Sequence, residues 1–436
     1  MSEKMHLISL LIHSPISYTS MTWMNKKDRQ LKGLSSFEYW QSLARTIEKG
    51  CFDSVFFADV PVARGDQKHH RDASIRHGVA WPAHDPMPLV AVMASVTSRL
   101  GFSVTLSLNG TPPFLAVRRL STLDYLSQGR VGWNIVTGAT NAEAVAVGAS
   151  SLMPHDERYD FADEYMDACY ALWNGIEDGA LLQDQATGLF ADPDKVHMVD
   201  YKGKYLNCQA IPPTMPSAQG RPVLFQAGSS GRGMAFAIKH ADVVYALGAT
   251  IPSMKAFIAR FESARQAADR PDPMKVMFGV LPIIGATEED AKRRVRELED
   301  RVPLEASLAR VSAVIGVDCT KFDPDSPFEA LPTQASQGMM ATMTDHVDGR
   351  PPTLREVGAR ASISMGLMQL PGTPEQIADR MEYIWRETGC HGFNIAGTIS
   401  PSSMEDMVEH VIPLLQKRGI FRTEYEGETL RQNLNC

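Results

Sequence analysis

Along the chain, short apolar runs rich in β-branched and aromatic side chains alternate with longer stretches whose apolar positions recur at helical spacing. Eight runs stand out: "HLISLLIH" (6–13), "SVFFAD" (54–59), "FSVTLSL" (102–108), "VGWNIVT" (131–137), "VLFQAG" (223–228), "DVVYAL" (242–247), "VMFGVLPIIG" (276–285) and "GFNIAG" (392–397). They lack the regular polar alternation of strands with one wet face, so they read as parallel strands covered on both sides. The intervening segments read as helices. "SSFEYWQSLARTIEKG" has the capping-box spacing from Ser35 to Glu38 and a terminal Gly50. "TPEQIADRMEYIWRETG" places Pro374 in its first turn. A helix after nearly every strand is the order of an α/β fold of the (β/α)8 TIM-barrel type; a doubly wound sheet is the alternative.

Two strand-to-strand gaps exceed what a plain βα unit needs, roughly 138–222 after strand 4 and 286–391 after strand 7. Structureless loops of that length are rare in compact domains, so both gaps must hold extra elements. The second carries the polar, proline-bearing stretches "CTKFDPDSPFEALPTQASQG" and "TDHVDGRPPTLREVG", which read as a lid over the barrel mouth. The expectation is a single barrel domain over 1–436 with these two insertions.

Composition adds limits. The chain has 436 residues, 44% of them hydrophobic, enough for a sizeable core. A formal net charge of −8 argues against a nucleic-acid footprint. No apolar stretch approaches the roughly 20 residues of a membrane helix. The six cysteines form no C-x-x-C pair and fit reduced thiols, which makes the cytoplasm the expected location.

In such a barrel the chemistry belongs at the carboxyl ends of the strands. Those ends are polar here: His13–Ser14, Asp59, Ser107–Asn109, Asn134 with Thr137, and Gly228–Ser229–Ser230. "QAGSSGRGMAFAIKH" (226–240) runs from a strand through Gly and Ser straight into a helix, presenting backbone N–H groups, two hydroxyls and Arg232 to a phosphate. A simple helix cap remains the other reading. His155 and Tyr159, four apart in "HDERYDFADEY", share a helix face and could hold a ribityl-phosphate chain. A helix start with surface packing explains that pair more simply. Asp59 could serve a heterocycle or a turn. There is no G-x-S-x-G elbow, P-loop or H-E-x-x-H motif, and "GSSGRG" does not match G-x-G-x-x-G. The histidines of "KHHRD" (68–72), with His77 and His84, fit no standard metal spacing, so no metal is expected.

The motifs "GRVGWNIVTG", "HDERYDFADEY", "GLFADPDKVHMVDYKGKYLN", "PVLFQAG", "PGTPEQIAD" and "IFRTEYEGETLR" occur in this order, and from near residue 6 to near 432 the chain resembles one family. It is similar to the nitrilotriacetate/EDTA monooxygenase component A group of the bacterial luciferase-like superfamily, which includes dibenzothiophene-sulfone and dimethyl-sulfide monooxygenases. The resemblance implies a luciferase-like barrel in a two-component system. A separate NAD(P)H-dependent reductase supplies FMNH2, which reacts with O2 to a flavin peroxide that oxygenates a small organic substrate, such as a sulfur compound, aminocarboxylate or heterocycle. It also implies a homodimer or homotetramer. Carried over by position, Asp59 looks like the acidic residue beside the isoalloxazine. Thr105, Ser107 and Thr137 look like strand-end hydroxyls near the flavin. His155 and Tyr159 match the ribityl-phosphate pair, and Ser230, with Gly228 and Ser229, the phosphate loop. His13, Asn134 and His391 are the candidates to steady the peroxide or accept a proton. Gly138 departs from the pattern, standing where many relatives carry serine. An F420-dependent oxidoreductase on the same barrel and a non-catalytic flavin-binding protein are the competing readings.

Overall fold

The computed structural model describes residues 4–59, 68–79, 81–138, 140–228, 230–272, 274–329, 337–345 and 349–436. All eight apolar runs form parallel strands: β1 (His6–Ile12), β2 (Ser54–Ala58), β3 (Gly101–Ser107), β4 (Val131–Val136), β5 (Val223–Gln226), β6 (Val243–Ala246), β7 (Lys275–Ile284) and β8 (Gly392–Ala396). Each pairs with the next, and β8 returns to β1 in the register His6↔Gly392 to Leu10↔Ala396, which closes the barrel. The doubly wound alternative is thereby excluded.

Side-chain alternation splits the core in two. Leu7, Val55, Phe57, Phe102, Val104 and Trp133 face outward into the helical layer. Their neighbours Ile8, Leu10 and Phe56, with Phe225, Tyr245 and Met277, fill the interior. Because both faces are dry, both faces must be apolar, which is why these strands carry no polar alternation.

Six helices position the site: α1 (Lys68–His77), α2 (His155–Trp173), α3 (Gly231–His240), α4 (Leu304–Ile315), α5 (Gln337–Thr344) and α6 (Leu354–Ser364). In α2 the stripe Tyr159, Ala162, Tyr165, Met166, Cys169, Leu172 recurs every three or four residues and is buried. Tyr165 and Trp173 bring it against Trp133 of β4, ring centroids 6.3 and 6.4 Å apart. The insertion holding α2 adds two antiparallel hairpins, Leu181–Asp184 with Leu189–Ala191 and Val199–Lys202 with Asn207–Ala210. In the second insertion α4, α5 and α6 share a small core that includes Val311, Val314, Met340, Met343 and Val357.

Two local expectations shift. The helix Phe37–Lys49 is capped by Ser36, whose hydroxyl accepts from the Tyr39 N–H at 3.3 Å, so Ser35 and Glu38 do not form the box. A further strand, Met368–Gly372, pairs with Val280–Ile284, the far half of β7, while β8 pairs with Met277–Val280. Serving two partners explains why β7 runs for ten residues.

At the amino-terminal end of the barrel lies a buried ion pair. Asp53 accepts from Arg422 at 2.6 Å and from the Leu7 N–H at 2.8 Å, and contacts His6 Nδ1 at 3.0 Å. Burial alone would raise its pKa; Arg422 and His6 outweigh that and hold the carboxyl below its usual range. Among the described residues, no helix is long and apolar enough to cross a membrane.

Candidate functional site

At the carboxyl ends of the strands opens a cavity of about 700 Å³. Leu10 and Phe56 from the barrel, Tyr245 and Leu247 from the end of β6, and Met339 and Thr342 of α5 form much of its wall. The volume suits a cofactor-sized ligand. Asn394 of β8 also lines it, and its Oδ1 is buried with no hydrogen-bond partner. Asn134 of β4 repeats the arrangement. It sits on the interior face, opposite in phase to Trp133, and its Nδ2 donates to Thr105 Oγ1 at 2.9 Å while Oδ1 is buried and unpartnered. Buried amide oxygens without a partner are costly, so both are candidate acceptors, and only that of Asn394 lies in the cavity wall.

One edge of the cavity is the amino end of α3. Ser230 caps that helix, its Oγ accepting from the Gly233 N–H at 3.1 Å. His155 Nε2 lies 3.3 Å from the same Oγ, and the Tyr159 hydroxyl is within hydrogen-bond reach of Gln226, Ser230 and Thr137. The first turn of α3 packs tightly on Tyr159: a Cβ on Gly233 would lie 2.7 Å from the phenol oxygen. Burial raises the Tyr159 pKa, so the group stays a protonated donor. Met234 N closes the first helical bond to Ser230 O, leaving the N–H groups of Gly231 and Arg232 open, and a Cβ on Gly231 would meet nothing within 4 Å. Donors at a positive helix end, a hydroxyl and an imidazole make a polar cradle of the kind that can take an anion.

The structure brings His155, Tyr159, Ser230 and Thr137 together as expected, and Thr105 with Asn134. Ser107 accepts from the Asn109 N–H at 3.3 Å just beyond β3. Gly228 is at the loop, but its N–H donates to Gln226 Oε1, so that donor is engaged within the protein. Ser229 lies outside the described residues. The Arg232 guanidinium pairs with Asp160 and Asp163 of α2, at 2.9 and 2.5 Å, while its carbon lies 5.7 Å from the centre of the Tyr159 ring. Asp59 lines a smaller adjoining cavity rather than the main one.

Two candidates do not line the main cavity. His13 follows β1 at the mouth, but its ring stands edge-on to Trp40 at 5.5 Å and beside His84 at 5.1 Å, with Nδ1 2.9 Å from Asp85 O. That packing holds it away from the cavity. Burial lowers its pKa. His391 precedes β8 at the opposite, amino-terminal end, where its Nδ1 accepts from the Val276 N–H at 3.0 Å. That end of the barrel is opposite to the one where the cavity opens. Sequence reasoning missed Asn394 and Gln226, and noted Asn109 only as part of the polar end of β3. Asn394 had a signal, since "GFNIAG" buries an amide as "VGWNIVT" does.

Gly138 has φ +81°, and a Cβ there would lie 2.2 Å from Asn109 Nδ2, which donates to Thr137 O at 3.2 Å. The Asn109 amide thus occupies the space a side chain at position 138 would need. The histidines of α1 find a carboxylate remote in sequence: His70 and His69 Nε2 lie 3.0 and 3.4 Å from Asp318 Oδ1, pinning α1 to the turn after α4.

Comparison with known proteins gives a consistent picture. A family model described as luciferase-like monooxygenase matches residues 15–392. The long-chain alkane monooxygenase of Geobacillus thermodenitrificans (strain NG80-2) is 34% identical over 436 residues, covering 100% of this chain and 94% of the relative. Nitrilotriacetate monooxygenase component A of Aminobacter aminovorans is 34% identical, covering 92% and 90%. Among solved structures, a riboflavin lyase with modified FMN and riboflavin superposes with a TM-score of 0.89 at 32% identity, covering 99% of this chain and 95% of that one.

Proposed function

The chain belongs to the luciferase-like monooxygenase family, and from that premise we propose that it oxygenates a small organic molecule with O2 and FMNH2 supplied by a separate NAD(P)H-dependent flavin reductase. The observation that carries the flavin assignment is the polar cradle at the amino end of α3 beside a cavity whose wall includes the unpartnered Asn394 Oδ1. Bound there, the reduced flavin would supply the two electrons with which O2 delivers one oxygen atom to the substrate and the other to water.

The chain's own residues bind, orient and keep dry. Ser230, His155, Tyr159 and the open N–H groups of Gly231 and Arg232 hold the phosphate. Asn394, whose Oδ1 is unpartnered in the cavity wall, would accept a hydrogen bond from the bound flavin, and Asn134, steadied by Thr105, is the second candidate acceptor on the barrel interior. Phe56, Tyr245 and Leu247 exclude water from the reacting face, and α5 acts as the cover. The reductase carries the nicotinamide site, consistent with the missing G-x-G-x-x-G in "GSSGRG". Six unpaired cysteines suit a reducing cytoplasm. A homodimer or homotetramer is the expected assembly, checked by light scattering.

The test is turnover with FMN, NADH and a generic flavin reductase on a panel of sulfides, hydrocarbons and aminocarboxylates under 18O2. One labelled oxygen atom in a product supports the reading. FMNH2 oxidation with only hydrogen peroxide formed, across the whole panel, removes it.

A further inference from the structure

Away from the main cavity, three metal-ligating side chains converge from distant parts of the chain. His69 and His70 lie in the first turn of α1, and Asp318 stands in the turn after α4. Both rings aim Nε2 at one carboxylate oxygen: His70 lies 3.0 Å and His69 3.4 Å from Asp318 Oδ1. We propose that these three groups bind a borderline divalent transition ion such as Zn²⁺, which clasps α1 to the insertion after β7. None of the three lines the main cavity, so the site does not depend on what that cavity holds.

The hydrogen bonds of this cluster do not close on their own. One carboxylate oxygen offers about two lone-pair sites. Asp318 Oδ1 already accepts from the Thr320 hydroxyl at 2.6 Å and from the Thr320 N–H at 3.2 Å. An Nε2–H on each ring presses a further donor on that oxygen, and a bare Nε2 sets lone pair against lone pair. His69 can turn to Thr320 Oγ1 at 3.3 Å instead, but His70, its side chain only 5% exposed, faces Oδ1 directly. A cation at the centre resolves the conflict, because each Nε2 then turns a lone pair inward beside the carboxylate. The spacing suits it. Ligands bound to zinc at about 2.0–2.2 Å lie about 3.3 Å from one another in a tetrahedral shell. The two Nε2–Oδ1 separations match that edge, and all three ligand atoms lie within 4.8 Å of one another.

The surroundings set the ion and its strength. His70 and Asp318 are held by packing, whereas His69, its side chain 49% exposed, leaves one side open to water. Two imidazoles favour Zn²⁺, Co²⁺ or Ni²⁺ over Mg²⁺ and Ca²⁺, which prefer oxygen ligands. The neighbouring lysines do not fill the spot. Lys68 pairs with Asp72 at 2.5 Å, and the largely exposed Lys321 stands 3.7 Å from the other carboxylate oxygen. These charges and the positive amino end of α1 weaken the site, so the expected affinity is micromolar. Spacing along the chain showed no metal pattern because Asp318 lies 248 positions from His70. Once occupied, the site fixes α1 against α4; Ser74 of α1 and Ala313 and Val314 of α4 all wall the smaller cavity.

Calorimetric titration of the chelator-treated full-length protein with ZnCl2 and with MgCl2 tests the site, at mildly alkaline pH where imidazoles are neutral. Zn²⁺ should bind with micromolar affinity and Mg²⁺ at least about tenfold more weakly. His69→Ala and Asp318→Asn should each weaken Zn²⁺ binding at least about tenfold. The His69 ring is half exposed, so His69→Ala keeps the fold and decides the matter if Asp318→Asn unfolds. Co²⁺ in place of Zn²⁺ should give the visible absorption bands of a four-coordinate site, lost in His69→Ala. With Zn²⁺ bound, hydrogen exchange should slow at α1 and at residues 318–321. Zn²⁺ binding that the variants retain, equal affinity for Mg²⁺, or no binding of Zn²⁺ overturns the site and leaves a hydrogen-bonded pin between α1 and the turn.

Discussion

Ser230 and His155 meet over one oxygen, 3.3 Å apart, at the start of a helix with two open donors. Hydrogen bonds to a charged group carry about 1.5–3 kcal/mol each, so Ser230→Ala or His155→Ala should weaken FMN binding by about tenfold or more. Riboflavin, which lacks the phosphate, should bind the variants and the wild type alike; flavin fluorescence titration reads both. Gly138 poses a different residue-scale problem. Its φ of +81° and the Asn109 amide against it leave no room for a side chain, so Gly138→Ala should cost about 1–2 kcal/mol or more by urea denaturation. Adding Asn109→Ala would relieve the crowding but not the backbone strain, so stability should return only in part. At this scale the sequence was half legible. Ser230 stood out from residue type and spacing as a candidate at a helix start and Asn134 as a buried amide, whereas Tyr159 was singled out by the family resemblance, its spacing alone favouring surface packing. The directions of His13, Arg232 and Gly228 N–H could not, because each depends on a partner distant along the chain or on a loop's detailed path.

The eight barrel strands were legible because two dry faces demand an uninterrupted apolar run. The strand Met368–Gly372 was not, since "MQLPG" is short, contains proline and borders only the far half of β7. The hairpins between residues 181 and 210 escaped because their strands are only three or four residues long and largely exposed. The carboxyl-terminal segment matters to the elements too, through Arg422 beneath β1 and β2. Arg422→Ala leaves Asp53 buried without its main partner and should cost about 3–5 kcal/mol at neutral pH. Because the folded pKa of Asp53 is depressed, its contribution is present above the unfolded value near 4 and is lost as pH falls below it. The deficit of the variant should therefore shrink as unfolding is measured toward acid pH.

Across the whole molecule a second carboxylate acts in the reverse sense. Asp124, on the helix Pro113–Leu126, accepts from Val131 N at 2.9 Å, from Gln219 at 2.7 Å and from Ser217, tying the helical layer to β4 and to the loop before β5. Burial pushes its pKa up to about 6. The folded protein then keeps a proton that the unfolded chain has released between pH values of about 4 and 6. This group's contribution to stability should fall as pH rises through that window, by up to about 3 kcal/mol. Asp124→Asn should flatten that part of the pH profile in chemical denaturation. No sequence pattern announced this residue, whose partners lie up to 95 positions away.

The two neighbouring cavities are built from different stretches of chain. The cradle comes from β5, α2 and α3, whereas Ala313, Val314 and Met365 of the smaller chamber belong to the insertion after β7. Heredity can act on these stretches separately. Substitutions in α4 and at the end of α6 would therefore reshape the smaller chamber while leaving the residues of α2 and α3 at the larger one untouched.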